Sequence, residues 1–245
     1  MKIRVLLLIM ILIISLFGCS KSSTGPVGSS SGTVTDIDGN VYQTLIIGNQ
    51  EWMVENLKVT RYCNGDLIPT GHTNSEWAGL STGAQCVYNN NASNELDTYG
   101  RLYNWYAVND SRGLAPEGWR VPYDDDIKEL EMFLGMTQSQ ADATGWRGTN
   151  QGSQLAGRAD LWRNGALEND TQFGTSGFNF LPGGFRNYHG GGFGDMTYYG
   201  GFWSSTESSS NGAWTRVLLY DDTQVSRYGD DKNYGFSVRC VRDLD

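Results

Sequence analysis

Histidine, cysteine and proline are scarce in this chain of 245 residues, with two, four and five copies. Each scarcity closes off a class of chemistry. His72 and His189 lie far apart, so no paired-histidine metal spacing exists. Basic residues number 18 against 27 acidic ones, a formal charge of −9, which disfavours nucleic acid as a partner and repels anionic lipid surfaces. No stretch keeps a helical period for long, so helix content should be low. Ser204-Ser205 lacks a Gly-x-Ser-x-Gly elbow. Gly190-Gly191-Gly192 lacks the lysine or serine of a phosphate cradle. The carboxylate pairs Asp221-Asp222 and Asp230-Asp231 would serve glycoside hydrolysis only if folding set two of them at the right separation. Solvation of polar loops is the commoner reason for such pairs. The expectation is a protein that is not an enzyme and needs no cofactor.

One apolar run stands out. Lys2 and Arg4 precede residues 5–14, all apolar, and Leu16-Phe17-Gly18-Cys19 follows. A basic start, a short greasy core and a small residue before a cysteine read as a secretory signal. The run is too short to span a bilayer. The cysteine makes the pattern similar to a bacterial lipobox, which implies lipidation at Cys19. The expected organisation is a signal peptide over 1–18, a lipidated cysteine and flexible linker over 19–32, and one domain over 33–245. The membrane partner is then reached through the lipid anchor. The expected location is the bacterial cell envelope, as an outer-membrane lipoprotein facing the periplasm or the outside.

What is abundant is glycine (32), tyrosine (13) and tryptophan (8). Glycine without a collagen period, beside many aromatics, predicts many turns and short strands packed on rings. Asp38-Gly39 sits between β-rich runs at 33–37 and 41–47, a hairpin signal, and Gly48-Asn49-Gln50 turns the chain into 51–57. A three-strand meander is expected there. Residues 99–108 are expected as a short buried helix. The clearest helix spans 124–134: Pro122 precedes it, Asp124, Asp125 and Asp126 crowd its first turn, and Gly135 can end it. Ile127, Leu130, Phe133 and Leu134 should share its buried face. First-turn capping explains the acidic triplet better than a metal does. A second short helix is expected at 138–143. Strands are expected at 178–181, 201–206, 213–219 and 236–241. After Cys19, three cysteines remain. The expected disulfide joins Cys63 to Cys86, nearest in sequence, with Cys86–Cys240 the open alternative.

Seven ordered blocks carry a family likeness: Gly39-Asn40-Val41-Tyr42, Trp52-Met53-Val54-Glu55-Asn56-Leu57, Tyr99-Gly100-Arg101-Leu102-Tyr103-Asn104-Trp105, Pro116-Glu117-Gly118-Trp119-Arg120-Val121-Pro122, Leu181-Pro182-Gly183-Gly184-Phe185-Arg186, Phe202-Trp203-Ser204-Ser205-Thr206 and Gly235-Phe236-Ser237-Val238-Arg239-Cys240-Val241. Together they resemble the Fibrobacter succinogenes major paralogous domain over residues 33–243. More distantly the chain resembles the C-type lectin-like fold of formylglycine-generating sulfatase-modifying factors. The resemblance implies an α+β fold: a twisted antiparallel sheet, one or two packed helices, and long loops. The formylglycine-generating relatives use paired cysteines late in the chain. Here Cys240 stands alone after Cys86, so no catalytic role carries over. Lectin-like domains often hold calcium, and Glu168-Asn169-Asp170 and Asp221-Asp222 are the candidates for a structural ion.

The binding reading rests on rings in polar loops: Tyr188, His189, Tyr198, Tyr199, Tyr220 and Tyr228. Tyrosine offers contact area with a polar tip. The ligand, glycan or protein, should meet the loops around 187–199, 208–211 and 220–228. The competing expectation is that half of these rings cover the core. Trp119, Trp203 and Trp214 are expected in the core, and Arg186 and Arg239 in buried ion pairs. The expected function is a non-catalytic lectin-like domain displayed for ligand binding or adhesion. The alternatives are an oxidative enzyme of the formylglycine-generating type and a structural envelope component.

Overall fold

The structure, a computed structural model, describes residues 28–91 and 95–244. The signal segment, Cys19 and the linker up to residue 27 lie outside the described residues. Among the described residues no helix is long and apolar enough to cross a membrane.

Regular structure starts before the expected linker ends. Strand β1 (Ser29–Thr35) opens the fold, and Gly28 lies so close to Leu45 that a side chain there would collide with it. β1 pairs antiparallel with β2 (Val41–Ile47), and β2 with β3 (Gln50–Met53). Both turns work as the residues predict. Gly39 takes a φ of 86°, and the Asp36 carboxylate accepts the amides of Asp38 and Asn40 at 2.9 and 3.0 Å. The expected Asp-Gly turn is therefore Asx-stabilised.

Helix α1 (Asn74–Ala78), strand β4 (Gln85–Cys86) and helix α2 (Glu95–Tyr99) follow. Residues 99–108 are not one helix. They hold the last residue of α2, strand β5 (Leu102–Tyr103) against β4, and helix α3 (Trp105–Val108). Gly100 forces the break: its φ is 74°, and it sits against the backbone of Asn56 and Leu57. Asn104 then starts α3 by accepting the Ala107 amide at 3.1 Å.

Helix α4 (Asp124–Phe133) forms where expected, and Gly135, at φ 105°, ends it. Ile127, Leu130 and Leu134 are buried, whereas Phe133 is half exposed and lies over Gly48. Helix α5 (Gln138–Asp142), strand β6 (Gly145–Arg147) and helices α6 (Gln151–Leu155) and α7 (Ala166–Asn169) come next. Residues 178–181 make only one bridge, Ala156 with Phe180, and not a strand. A short ribbon pairs β7 (Phe185–Arg186) with β8 (Phe193–Gly194). Strands β9 (Tyr199–Glu207), β10 (Gly212–Leu219) and β11 (Val225–Asp231) form a second meander, and β12 (Val241–Asp243) returns to β3. The two four-stranded sheets are ordered β1-β2-β3-β12 and β6-β11-β10-β9, all antiparallel. The fold is α+β, with antiparallel sheets and short helices.

Alternation along the strands builds two cores. Tyr42, Met53 and Trp203 face one; Leu45, Ile47, Trp52 and Phe202 face the other. α4 covers the second core with Ile127 and Leu130.

A buried charge cluster fixes α4 to the second sheet. Arg216 and Arg227 lie directly opposite each other on β10 and β11, an arrangement that repels by itself. Asp124 bridges them, at 2.8 Å from Arg216 and 2.6 Å from Arg227. Glu131, two turns further along α4, binds Arg216 at 2.7 Å and Arg147 of β6 at 2.9 Å. The acidic triplet is thus divided. Asp126 caps the helix through the Tyr123 amide at 2.8 Å and pairs with Arg120, while Asp124 serves the core. Burial alone would raise the Asp124 carboxyl, but the hydrogen bonds and charges of Arg227 and Arg216 outweigh it and hold the carboxyl at about 2.

Asp124→Asn should cost about 3–5 kcal/mol, because it leaves the buried Arg227 guanidinium without its carboxylate and the opposed Arg216 with Glu131 alone. Denaturant unfolding at neutral pH measures it. In the wild type the carboxyl's folded value is depressed, so its contribution is full above its ordinary value of 3.8 and is lost as pH falls through about 2. That contribution is roughly 2 kcal/mol. Thermal melts between neutral pH and pH 2 should show the loss, and it should be smaller in Asp124→Asn, where only the other depressed carboxylates such as Glu51 and Asp110 still titrate.

Candidate functional site

The second meander sets the site. Because Gly212 pairs with Asp231, the β9–β10 tip at 208–211 stands beside the end of β11. The Lys232 amide donates to the Asn211 carbonyl at 3.0 Å and locks tip to strand end. The Asp231 carboxylate accepts the Asn233 amide at 2.9 Å, which turns the chain and presents Tyr234. The Tyr234 ring stacks on Phe236 at 5.0 Å and 15°, so its base is a core ring. Burial first, then the nearby Asp230 charge, pushes the Tyr234 hydroxyl up to about 12 and keeps it a donor at neutral pH.

The second wall is the β7–β8 loop. Asn187 accepts the amides of His189 and Gly190 through its side chain, at 2.8 and 3.2 Å. Gly191, at φ 66°, lies so close to the Asn74 carbonyl that any side chain would clash with backbone. Arg186 holds the loop from below. It is fully buried, donates to the Gly191 carbonyl at 2.8 Å and the His72 carbonyl at 2.7 Å, and stacks over Trp77 at 4.3 Å. The expected ion pair at Arg186 is therefore replaced by carbonyls and an aromatic face. Arg239 likewise meets no carboxylate: it donates to Asn56 at 2.8 Å and to the Phe178 and Asn179 carbonyls.

The fixed loop sets Tyr188 against Tyr234, with ring centroids 4.8 Å apart. Between this pair and Ser209, Asn211, Asp230 and Asp231 lies a cleft of about 340 Å³. A neighbouring cleft of about 370 Å³ shares Tyr188, Asn211 and Asp231 and adds His189, Asn233 and Tyr106. No lysine or arginine lines either one. Asp230 accepts a hydrogen bond from Thr215 at 2.6 Å, and burial, aided by the Asp231 charge, raises its pKa against that bond.

The six expected binding residues do not converge. Tyr188 lines both clefts and His189 the neighbouring one. Tyr199 packs edge-on to Phe185 at 5.2 Å and against Phe236, and is a core ring. Tyr198 and Tyr220 pair with each other at 5.3 Å, away from the cleft, and Tyr220 leans on the second core. Arg163 lies over both and donates to the Tyr198 hydroxyl at 2.6 Å. Tyr228 is exposed on β11 and lines neither cleft. Tyr234 was missed because it adjoins the closing Gly-Phe-x-Val-Arg block and reads as part of the scaffold. Its signal was the polar run Asp230-Asp231-Lys232-Asn233 before it. Trp203 is fully buried; Trp119 is partly buried, and Trp214 lies under the Arg227 guanidinium at 3.5 Å.

The expected disulfide is absent: Cys63, Cys86 and Cys240 are free thiols. Cys63 donates to the Ala115 carbonyl at 2.9 Å, while Cys86 is sealed among Trp77, Ala84 and Leu102. Cys240 belongs to the first core. The calcium candidates are used locally: Asn164 donates to Glu168, the Gln172 amide to Asp170 and the Gln224 amide to Asp222. Among the described residues no group of three or more His, Cys, Asp or Glu converges to hold a metal.

A mixed α+β scaffold with a polar cleft between loops defines the class. The family model of the Fibrobacter succinogenes major domain matches residues 45–242, and the chain belongs to that family. No curated protein and no solved structure matches it.

Thiol accessibility follows from the three sites. Cys63 should alkylate in the native protein, slowly at neutral pH and faster as pH rises, since burial raises its pKa and the thiolate reacts. Cys86, raised to about 11 by burial, and the fully buried Cys240 should label only after unfolding. Peptide mass mapping without reductant reads all three and would reveal a Cys63–Cys86 bridge.

Proposed function

We propose that this domain is a non-catalytic glycan-binding module, held at the bacterial envelope by a lipid on Cys19. The observation that carries the reading is the Tyr188–Tyr234 pair facing Asp231 and Asn211 across a mostly polar cleft. A sugar presents both an apolar ring face and hydroxyl edges. The tyrosines offer a stacking surface, and the carboxylate and amide groups offer fixed acceptors and donors. Protein interfaces centre on a dry apolar patch, which this cleft lacks. The two antiparallel sheets with long loops between them agree with a lectin-like scaffold. The paired rings rest on Phe236 on one side and on the Arg186-pinned loop on the other, so little entropy is lost on binding.

The thiol-dependent alternative finds less support. Cys240 is fully buried, and burial holds its thiol well above the usual range, so no accessible nucleophile results. The lipid reading rests on residues 1–19 and on the β-scaffold starting at Ser29, ten residues past the cysteine.

A glycan array probed with the protein, with and without EDTA, tests the binding reading. Tyr188→Ala should weaken binding of any glycan found by about tenfold or more, the loss of one stacking contact plus its support. Its melting temperature should stay near the wild-type value, because the ring is 38% exposed. Tyr198→Ala, outside the cleft, should leave binding unchanged. Equal losses in the two variants would refute the assignment. Mass spectrometry of the mature amino terminus tests the anchor.

A further inference from the structure

We infer that the glycan is a linear, neutral polysaccharide bound along a groove of at least three joined clefts. This rests on the binding reading above and extends it. A third cleft, of about 400 Å³, lies next to the two already described and shares the Tyr106 side chain with the nearer of them. One chain segment walls both: Ala78, Gly79 and Leu80 line the nearer cleft, and Ser81, Thr82 and Gly83 the farther one. The groove therefore runs without a change of bank from Tyr234 past Tyr188 to Tyr106 and on to Asn109 and Ser111.

That bank is fixed. Asn233 donates to the Ala78 carbonyl at 3.0 Å, and Asn104 donates to the Thr82 carbonyl at 2.9 Å while accepting the Ala84 amide at 2.9 Å. Gly83 is pressed against the Tyr62 hydroxyl, so the wall cannot collapse inward. Each cleft is within the roughly 300–1,000 Å³ range of small-ligand sites, and three in a row exceed what one or two sugar rings can fill. Rings recur along the groove at Tyr234, Tyr188 and Tyr106, which suits a polymer that repeats a flat face.

Charge selects the polymer. The fixed carboxylates along the groove are Asp230, Asp231 and Asp110. The one guanidinium, Arg112, is taken up by Asp110 at 2.8 Å and Asp66 at 3.1 Å. A uronate or sulfated chain would meet repulsion at the Asp230–Asp231 end and no free guanidinium at the other, and a neutral chain would avoid that cost.

The test uses the protein with neutral β-glucan, xylan, mannan and chitin oligosaccharides, from disaccharide to octasaccharide, by calorimetry. For the series that binds, affinity should rise by about tenfold or more with length. Tyr106→Ala should remove that gain. Ser81→Trp, on an exposed position, should plug the far cleft with the same result and guards against misfolding of the first variant. A polygalacturonate series should bind more weakly than any neutral one. Equal affinities for short and long chains would overturn the extended groove and leave the Tyr188–Tyr234 site standing. Tighter binding of the uronate series would overturn the charge selection. Absence of binding by every series would take down the glycan reading and this extension together.

Discussion

The backbone of residues 235–241 is shared between two sheets, and that sharing holds the molecule together. On one side the Trp203 amide donates to the Ser237 carbonyl, and the Ser237 amide to Gly201 of β9. On the other side Leu57 and Met53 donate to the carbonyls of Val238 and Cys240. Alternation does the rest. Phe236, Val238 and Cys240 enter the first core; Val241 enters the second, and Arg239 lies over Phe178 of that core at 4.5 Å. Truncating one such buried ring typically costs about 3–5 kcal/mol. In this segment the loss would reach both cores and both sheets, because the same seven residues serve each of them.

Buried charge is handled in two ways. Around α4 the guanidinium groups meet carboxylates, and the geometry repays desolvation because each anion spans two cations. At Arg239 no carboxylate among the described residues forms an ion pair. Burial pulls its pKa down to about 9, with the Glu55 charge opposing, so the group stays mostly charged at neutral pH. Its donors are taken by the carbonyls of Phe178 and Asn179 and by Asn56. Arginine suits this use, since its planar fork satisfies several fixed acceptors and its flat face covers a ring. Both solutions choose one packing over many, since neither tolerates a shift of helix or loop.

The elements legible from residues alone were those with local causes. The hairpin at Gly39, the second turn at Gly48, α4 behind Pro122 and the strands around Trp203 and Val217 all follow from turn chemistry or short-range pattern. The misreadings had non-local causes. Residues 99–108 look helical until Gly100 is pressed on Asn56, a contact between segments far apart in the chain. Asp124 looks like a cap until β10 and β11 supply two arginines. Tyr199 looks like a loop ring until Phe185 and Phe236 close on it. The site was legible as a set of polar loops; which rings they gather was not, because Tyr188 and Tyr234 meet only after the β7–β8 loop folds back onto the end of β11.

That meeting also explains why the cleft sits where it does. The closing segment must start at Gly235, where a side chain would collide with Arg186 and Trp77. Gly235 and Arg186 bond each other through both backbone amides, at 2.8 and 2.9 Å. The pair is thus the joint between the closing segment and the Tyr188 loop. One residue before the joint comes Tyr234; two residues after its partner comes Tyr188. The paired rings of the cleft are therefore a direct consequence of how the two sheets are stitched. A binding surface placed there inherits the rigidity of the cores, while the residues that set its chemistry, Ser209, Asn211 and Asp231, lie at a hairpin tip and a strand end that the cores leave free to vary.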